Sequence, residues 1–269
     1  FISTKVLINH GLTPQEIFFY RFLIAYLGIW VISPKRLFTN NWQDELWLVA
    51  GGIFGGSLYF FTENTALGIT QASNVSFIIC TAPLLTTILS LLFYKSEKAS
   101  KGLIYGSLLA LMGVGLIVFN GSFVLKISPI GDLLTLLAAL SWAFYSLIIK
   151  KMAGRYPTIF ITRKIFFYGV LTILPAFLLH PLHPDTVVLL QPAVLFNLLF
   201  LAVLASLICY VLWNVVLKQL GTVRASNYIY LNPLVTMIAS FLILDEKITL
   251  VALGGAACIV CGVYWAEKK

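Results

Sequence analysis

One carboxylate stands inside a long apolar run. Glu63 lies in Tyr59-Phe60-Phe61-Thr62-Glu63-Asn64. A charged group in hydrocarbon is costly, so this one must face the interior of a helix bundle or a wet cavity. There it can bind an ammonium group or take up a proton. The plainer alternative is an ion pair with Lys5 or Arg21, the charge partners that the first two helices offer. The aligned place in the second half of the chain holds no acid and reads Tyr210-Val211-Leu212-Trp213-Asn214. Tyr210, Trp213 and Asn214 are spaced to share one helix face, and so are Trp142 and Tyr145. With Tyr59, these rings can line a cavity that holds an amphipathic or cationic solute by stacking and cation–π contact. The same residues can equally serve as packing or interfacial aromatics. Trp42, Trp47 and Trp265 sit near helix ends and read as an interfacial belt.

Two amides and two prolines complete the candidate set. Asn74 and Asn227 open apolar helices, where an amide either lines a path or cross-links helices. Pro83 and Pro233 interrupt apolar runs and are expected to kink their helices, because proline removes a backbone hydrogen bond. The three histidines, His10, His180 and His183, are too scattered for a metal site. The four cysteines lie in apolar runs, and Cys258 and Cys261 read as packing residues rather than ligands. No nucleophile–base set and no phosphate-binding loop is present, so no cofactor is expected. An integral membrane enzyme acting on lipid would need a polar cluster that the sequence does not offer.

The elements that must position these residues follow from composition. The 269 residues are 60% hydrophobic and only 10% charged. A soluble protein carries about a quarter charged residues, so this is an integral membrane protein. The net charge of +8 sits in short connections between apolar runs, which is a topology signal rather than a nucleic-acid footprint. A spanning helix needs about 20 apolar residues. That rule predicts helices near 1–8, 16–33, 46–67, 72–94, 101–120, 129–149, 160–179, 193–217, 223–244 and 250–266. The fold class is thus all-α, with about ten transmembrane helices. The first is expected to be truncated at its N-terminus, since Phe1–Ile8 reads as the second half of a span.

The chain also writes one segment twice. Leu67-Gly68-Ile69-Thr70-Gln71-Ala72-Ser73-Asn74 leads to Pro83, Glu97, Gly106 and Gly113. Leu220-Gly221-Thr222-Val223-Arg224-Ala225-Ser226-Asn227 leads to Pro233, Glu246, Gly255 and Gly262. The spacing from glutamate to the two glycines is the same in both copies. The run from asparagine to proline is about one helical turn shorter in the second. Two repeats are expected, 1–125 and 126–269.

Lysine and arginine concentrate in alternate connections, at Lys35, Arg36, Lys95, Lys98, Lys101, Lys150, Lys151, Arg155, Lys218, Arg224, Lys268 and Lys269. The opposite connections hold Lys5, Lys126 and Lys247. The rich side is read as cytoplasmic, with both termini there. An odd number of helices per half then turns the second half over, an arrangement of inverted repeats common in secondary transporters. Glu97 and Glu246, at helix ends, read as structural.

These residues resemble a known family. Ala66-Leu67, Ala72-Ser73, Pro83, Glu97 and Gly106, repeated as Val216-Leu217, Ala225-Ser226, Pro233, Glu246 and Gly255, are similar to the EamA domain of the drug/metabolite transporter superfamily. The resemblance covers nearly the whole chain as two such domains. Lys5 and Arg21 also resemble positions that the family fills with basic residues. The resemblance implies a ten-helix exporter or permease of the bacterial inner membrane, from a family whose members move amino acids, other metabolites or drugs. Its expected partners are a small-molecule substrate and membrane lipid, with no nucleic acid. Proton coupling through Glu63 is a further expectation. A proton-coupled multidrug carrier or a nucleotide-sugar-like carrier is the alternative.

Overall fold

The computed structural model describes residues 2–33, 38–94, 100–119, 128–179, 181–182, 186–235, 237–238 and 249–267. Glu97, Glu246, His180, His183, Lys95, Lys98, Lys126 and Lys247 lie outside the described residues. The described chain is helical, with α1 (Ile2–Asn9), α2 (Pro14–Ile32), α3 (Trp42–Gly52), α4 (Leu58–Ile69), α5 (Ala72–Ile79), α6 (Ala82–Phe93) and α7 (Lys101–Phe119). It continues through α8 (Pro129–Ala153), α9 (Thr158–Ile173), α10 (Ala176–Leu179), α11 (Thr186–Leu189), α12 (Pro192–Leu199), α13 (Cys209–Leu220), α14 (Thr222–Asn227) and α15 (Leu250–Glu267).

Among the described residues, seven helical stretches are long and apolar enough to cross a membrane. They are Pro14–Ile32, Asn74–Phe93, Lys101–Phe119, Pro129–Ala153, Thr158–Leu178, Pro192–Leu220 and Leu250–Glu267. The expected span at 46–67 belongs to a helix that is continuous over 42–69, but its glycines and Glu63 dilute its apolar character. The other two expected spans fall on the short α1 and on a region only partly described. Side chains on the outside of the bundle are apolar, as at Leu92, Met112 and Phe196, while Asn64, Ser206, Asn214 and Asn227 are fully buried. That inversion of the soluble pattern is what a hydrocarbon solvent selects. The chain is a membrane protein.

Local sequence sets the helix ends. Thr13 caps α2 in a reciprocal capping box with Glu16, and Pro14 occupies the first turn, where its missing N–H is not needed. Asn41 caps α3 by accepting from the Asp44 amide at 2.8 Å. Gly221 ends α13 with φ of 81°, a conformation that glycine adopts without strain. Its counterpart in the first copy, Gly68, lies inside α4.

The prolines act differently from expectation. Pro83 lies in the first turn of α6, and the chain breaks at Cys80 and Thr81 just ahead of it. Pro233 likewise follows a 3₁₀ turn, Tyr228–Leu231, and residues 232–235 are helical. Each proline therefore stands in the first turn after a local break in the helical pattern, and around Pro83 the stretch Asn74–Phe93 remains one span. A proline ring cannot follow a helical turn without losing a bond, so the break falls one turn earlier.

Two helices contain π turns. One, Ile53–Ser57, joins α3 to α4. The other, Phe200–Ile208, joins α12 to α13. A π turn adds a residue to the helical ring and disturbs the regular pairing of backbone carbonyls. In the first turn two of those carbonyls are met by side chains. Ser141 Oγ donates to the Phe54 carbonyl at 2.8 Å, and Tyr210 Oη donates to the Gly55 carbonyl at 2.5 Å.

The repeated glycines pack on each other. A Cβ at Gly106 would lie 2.4 Å from the Gly262 carbonyl, and one at Gly113 would lie 2.5 Å from the Gly255 carbonyl. The early glycine of α7 thus meets the late glycine of α15, so the two helices run antiparallel in backbone contact. Small residues permit that approach, which gains van der Waals contact where no hydrophobic effect operates.

Candidate functional site

α4 brings Tyr59, Phe60 and Glu63 onto the bundle interior. The Tyr59 hydroxyl donates to Glu63 Oε1 at 2.6 Å, an i, i+4 bond along the helix. Glu63 is 5% exposed. Facing it is an aromatic enclosure drawn from α8 and α13. The Trp142 ring lies 5.1 Å from Tyr59, 5.1 Å from Tyr145, 5.7 Å from Tyr210 and 5.8 Å from Trp213 between centroids. The buried indole N–H groups of Trp142 and Trp213 have no acceptor among the described residues, which leaves two donors inside the enclosure.

Arg21 enters from α2. Its guanidinium lies 4.2 Å over the Phe60 ring, and its Nε donates to Ser206 Oγ at 2.9 Å. Lys5 donates to the Leu67 carbonyl at 2.5 Å. Neither cation closes an ion pair on Glu63, so of the two readings the ion pair is not formed and the carboxylate is met by the tyrosine hydroxyl instead. Arg21 and Glu63 nonetheless share one buried region, with Phe60 and Tyr59 between them.

Two of the predicted residues act as cross-links. Asn214 accepts from Tyr145 Oη at 2.7 Å and donates to Thr162 Oγ1 at 2.9 Å. It ties α13 to α8 and α9. Tyr210 holds the π turn through Gly55. Asn74 is buried in α5. Both amide atoms of Asn227 are buried and lack a partner among the described residues. Glu63, Tyr59, Arg21, Trp142, Tyr145, Tyr210, Trp213 and Asn214 thus converge, while Lys5 bonds to the Leu67 carbonyl instead. Sequence reasoning missed Phe60, Ser206, Thr162 and Gly55. Phe60 adjoins Tyr59, but a π turn has no sequence signature that would single out Gly55.

A second polar network lies at the lysine-rich end. Glu45, ahead of the apolar stretch of its helix, pairs with Lys164 and accepts from Tyr168. Thr39 donates to the same carboxylate through its N–H at 2.9 Å and its hydroxyl at 2.6 Å. Burial alone would raise the Glu45 pKa, but the hydrogen bonds from Lys164, Thr39 and Tyr168 outweigh it and hold the group at about 2. Beside it, Arg155 pairs with Asp44 at 2.6 Å, and Tyr156 donates to Asp44 at 2.8 Å. The network ties α3 to α8 and α9. Toward the other end of α9 a groove of about 530 Å³ is lined by Ser57, Phe61, Leu171 and Thr172, where Ser57 and Thr172 share a hydrogen bond of 2.8 Å.

A buried acid and a buried arginine thus lie among aromatic rings inside a bundle of membrane helices, where ionisable groups are costly and rare. Residues 1–119 and again 129–266 match the EamA-like transporter family. The chain belongs to that family. An uncharacterized transporter of Archaeoglobus fulgidus is 30% identical over 274 residues, which span 100% of this chain and 92% of that protein. A probable amino-acid metabolite efflux pump of Salmonella typhimurium is 26% identical, with 98% of this chain and 88% of that protein covered. The Escherichia coli protein of the same description is 23% identical, with coverage of 95% and 86%. A solved crystal structure at 18% identity has the same fold, with a TM-score of 0.75 over 99% of this chain and 93% of that one. The protein is a membrane transporter of small molecules, not an enzyme.

Proposed function

We propose that the protein is a secondary transporter that exports small amphipathic metabolites, amino acids among them, by alternating access across a bacterial inner membrane. The observation that carries this reading is the contact of Tyr59, which holds Glu63, with Trp142 of the second repeat, whose ring adjoins Tyr210 and Trp213. A site built from both halves changes shape when the halves rock, as alternating access requires. The description of two relatives as probable amino-acid metabolite efflux pumps supports the substrate class. An amino acid carries an ammonium group suited to Glu63, a carboxylate suited to Arg21 and a side chain suited to the rings.

In this reading the repeats 1–125 and 126–269 are inverted. The crosswise pairing of Gly106 with Gly262 and Gly113 with Gly255 supports it, because a two-fold axis in the membrane plane would make those pairs equivalent. The lysine-rich side is cytoplasmic and both termini face it. The Glu45–Lys164 network then closes the cytoplasmic end, and proton uptake by Glu63 couples transport to the pH gradient.

The test is counterflow in proteoliposomes. Vesicles preloaded with an unlabelled amino acid are expected to accumulate the labelled one transiently and saturably, and Glu63→Gln is expected to lose the response to an imposed pH gradient. Flux that rises linearly with concentration would indicate a channel. A Glu63→Gln protein that keeps the wild-type pH response would remove the coupling role.

A further inference from the structure

At the lysine-rich end of the bundle a groove of about 470 Å³ opens between α3, α6 and α8. This is the size of pockets that hold small organic ligands. Its shape follows from helix periodicity. Phe144, Leu147, Ile148 and Lys151 share one face of α8, and opposite them stand Trp47 and Ala50 of α3 and Phe54 of the π turn that follows it. The groove therefore runs along the helix axes for about two turns, roughly 10 Å. Its inner end is ringed by Phe54 and Phe144, with centroids 5.2 Å apart. Its outer end carries charge. The Lys151 ammonium lies 3.7 Å over Trp47, and the Lys150 ammonium lies 4.3 Å over Tyr94. The Tyr94 hydroxyl donates to the Leu147 carbonyl at 3.2 Å, which fixes that wall.

Tryptophan, tyrosine and lysine together mark the level of the lipid headgroups. The groove thus descends from the headgroup region into hydrocarbon, apolar below and cationic above. A solute pocket would be polar along its depth, and a partner helix would meet the two lysines at the rim. We propose that the groove binds an anionic phospholipid, with one acyl chain along the α3–α8 slot and the phosphodiester at Lys151. A zwitterionic choline head fits poorly, because Lys151 already occupies the Trp47 ring face that would receive it and repels its charge. The assignment to the cytoplasmic leaflet rests on the orientation proposed above; the class of ligand does not, since it follows from the groove alone.

The test uses the full chain, delipidated in a neutral detergent and titrated with phosphatidylglycerol or phosphatidylcholine of identical acyl chains. Binding is read by the melting temperature and by native mass spectrometry. Phosphatidylglycerol is expected to bind at least about tenfold more tightly than phosphatidylcholine. Lys151→Gln is expected to weaken phosphatidylglycerol about fivefold, the effect of one lysine at an anionic surface. Ala50→Phe, which fills the slot, is expected to weaken both lipids. Equal affinity for the two lipids overturns the proposal, and so does a phosphatidylglycerol preference unchanged in Lys151→Gln. Glycerophosphoglycerol, the headgroup without chains, is expected to give no shift. An equal shift with it would point to a phosphate site alone and overturn the acyl-chain assignment. A melting temperature that rises with protein concentration and ignores lipid would assign the groove to a second copy of the chain. Should Ala50→Phe fail to fold, the wild-type and Lys151→Gln comparisons still decide the matter.

Discussion

Tyr210 donates its hydroxyl proton to the backbone carbonyl of Gly55, 2.5 Å away and 155 residues earlier in the chain. The carbonyl belongs to the π turn between α3 and α4, and the tyrosine to α13, which itself follows a π turn. Tyr210→Phe keeps the ring contacts and leaves the carbonyl buried without a donor. A buried unpaired group of this kind costs about 1–3 kcal/mol. The melting temperature in detergent is expected to fall accordingly. No change would mean that the carbonyl finds another partner.

Glu63 and Tyr59 are expected to act on transport more than on stability. Removing a charge-assisted contact to a substrate ammonium is worth about 1.5–3 kcal/mol, about tenfold or more in rate at low substrate concentration. Glu63→Gln should show that loss in counterflow with a zwitterionic substrate while melting near the wild-type temperature. Tyr59→Phe should show a smaller loss. Wild-type rates in both variants would take these residues out of the site.

The Glu45 network predicts a dependence on acid. The folded-state pKa of Glu45 is depressed to about 2, below the ordinary carboxylate value of about 4.3. A group depressed in this way stabilises the fold fully above the ordinary value and loses that effect as pH falls toward the folded value. Stability should therefore decline between about pH 4 and pH 2. The groups facing the carboxylate are Lys164, Tyr168 and Thr39, with Asp44 beside it. Glu45→Gln should start less stable at neutral pH and show a flatter acid limb in a melting series. A parallel acid limb in the variant would assign the effect to other carboxylates.

The glycine pairs give a contrast within one helix. Gly255→Ala places a Cβ 2.7 Å from the Gly113 carbonyl, whereas Gly254→Ala meets nothing within 4 Å. The first forces α7 and α15 apart at backbone contact. The second exchanges glycine for a better helix former, a gain of about 0.5–1 kcal/mol in water. Size-exclusion profiles and melting temperatures are expected to show Gly255→Ala impaired and Gly254→Ala at least as stable as the wild type. If both behave alike, the close approach of the helices does not govern assembly.

Much of the architecture could be read from the residues because it depends on local rules. Apolar runs of spanning length must become helices in lipid, since no other open structure satisfies the backbone there. The capping chemistry of Thr13-Pro14-Gln15-Glu16 marks a helix start by itself. Gly106, Gly113, Gly255 and Gly262 stood out by repetition, and a carboxylate at position 63 announced a buried polar site by its cost alone. Family membership followed from the same landmarks.

Tertiary structure decided which groups meet. Lys5 and Arg21 were both plausible partners for Glu63, yet the hydrogen bond comes from Tyr59, one turn away on the same helix. Asn214 and Tyr210 had the right face for a solute site, and the fold uses them to hold α8, α9 and a π turn together. Proline was expected to bend a helix, but the break lies ahead of it. These outcomes depend on contacts between residues scores of positions apart. In a low-dielectric interior a polar group gains by finding a partner, and the nearest suitable one is set by packing geometry, not by spacing along the chain. The sequence determined what must be buried in lipid and where polar groups would stand out; only the folded bundle determined which of them meet and hold it together.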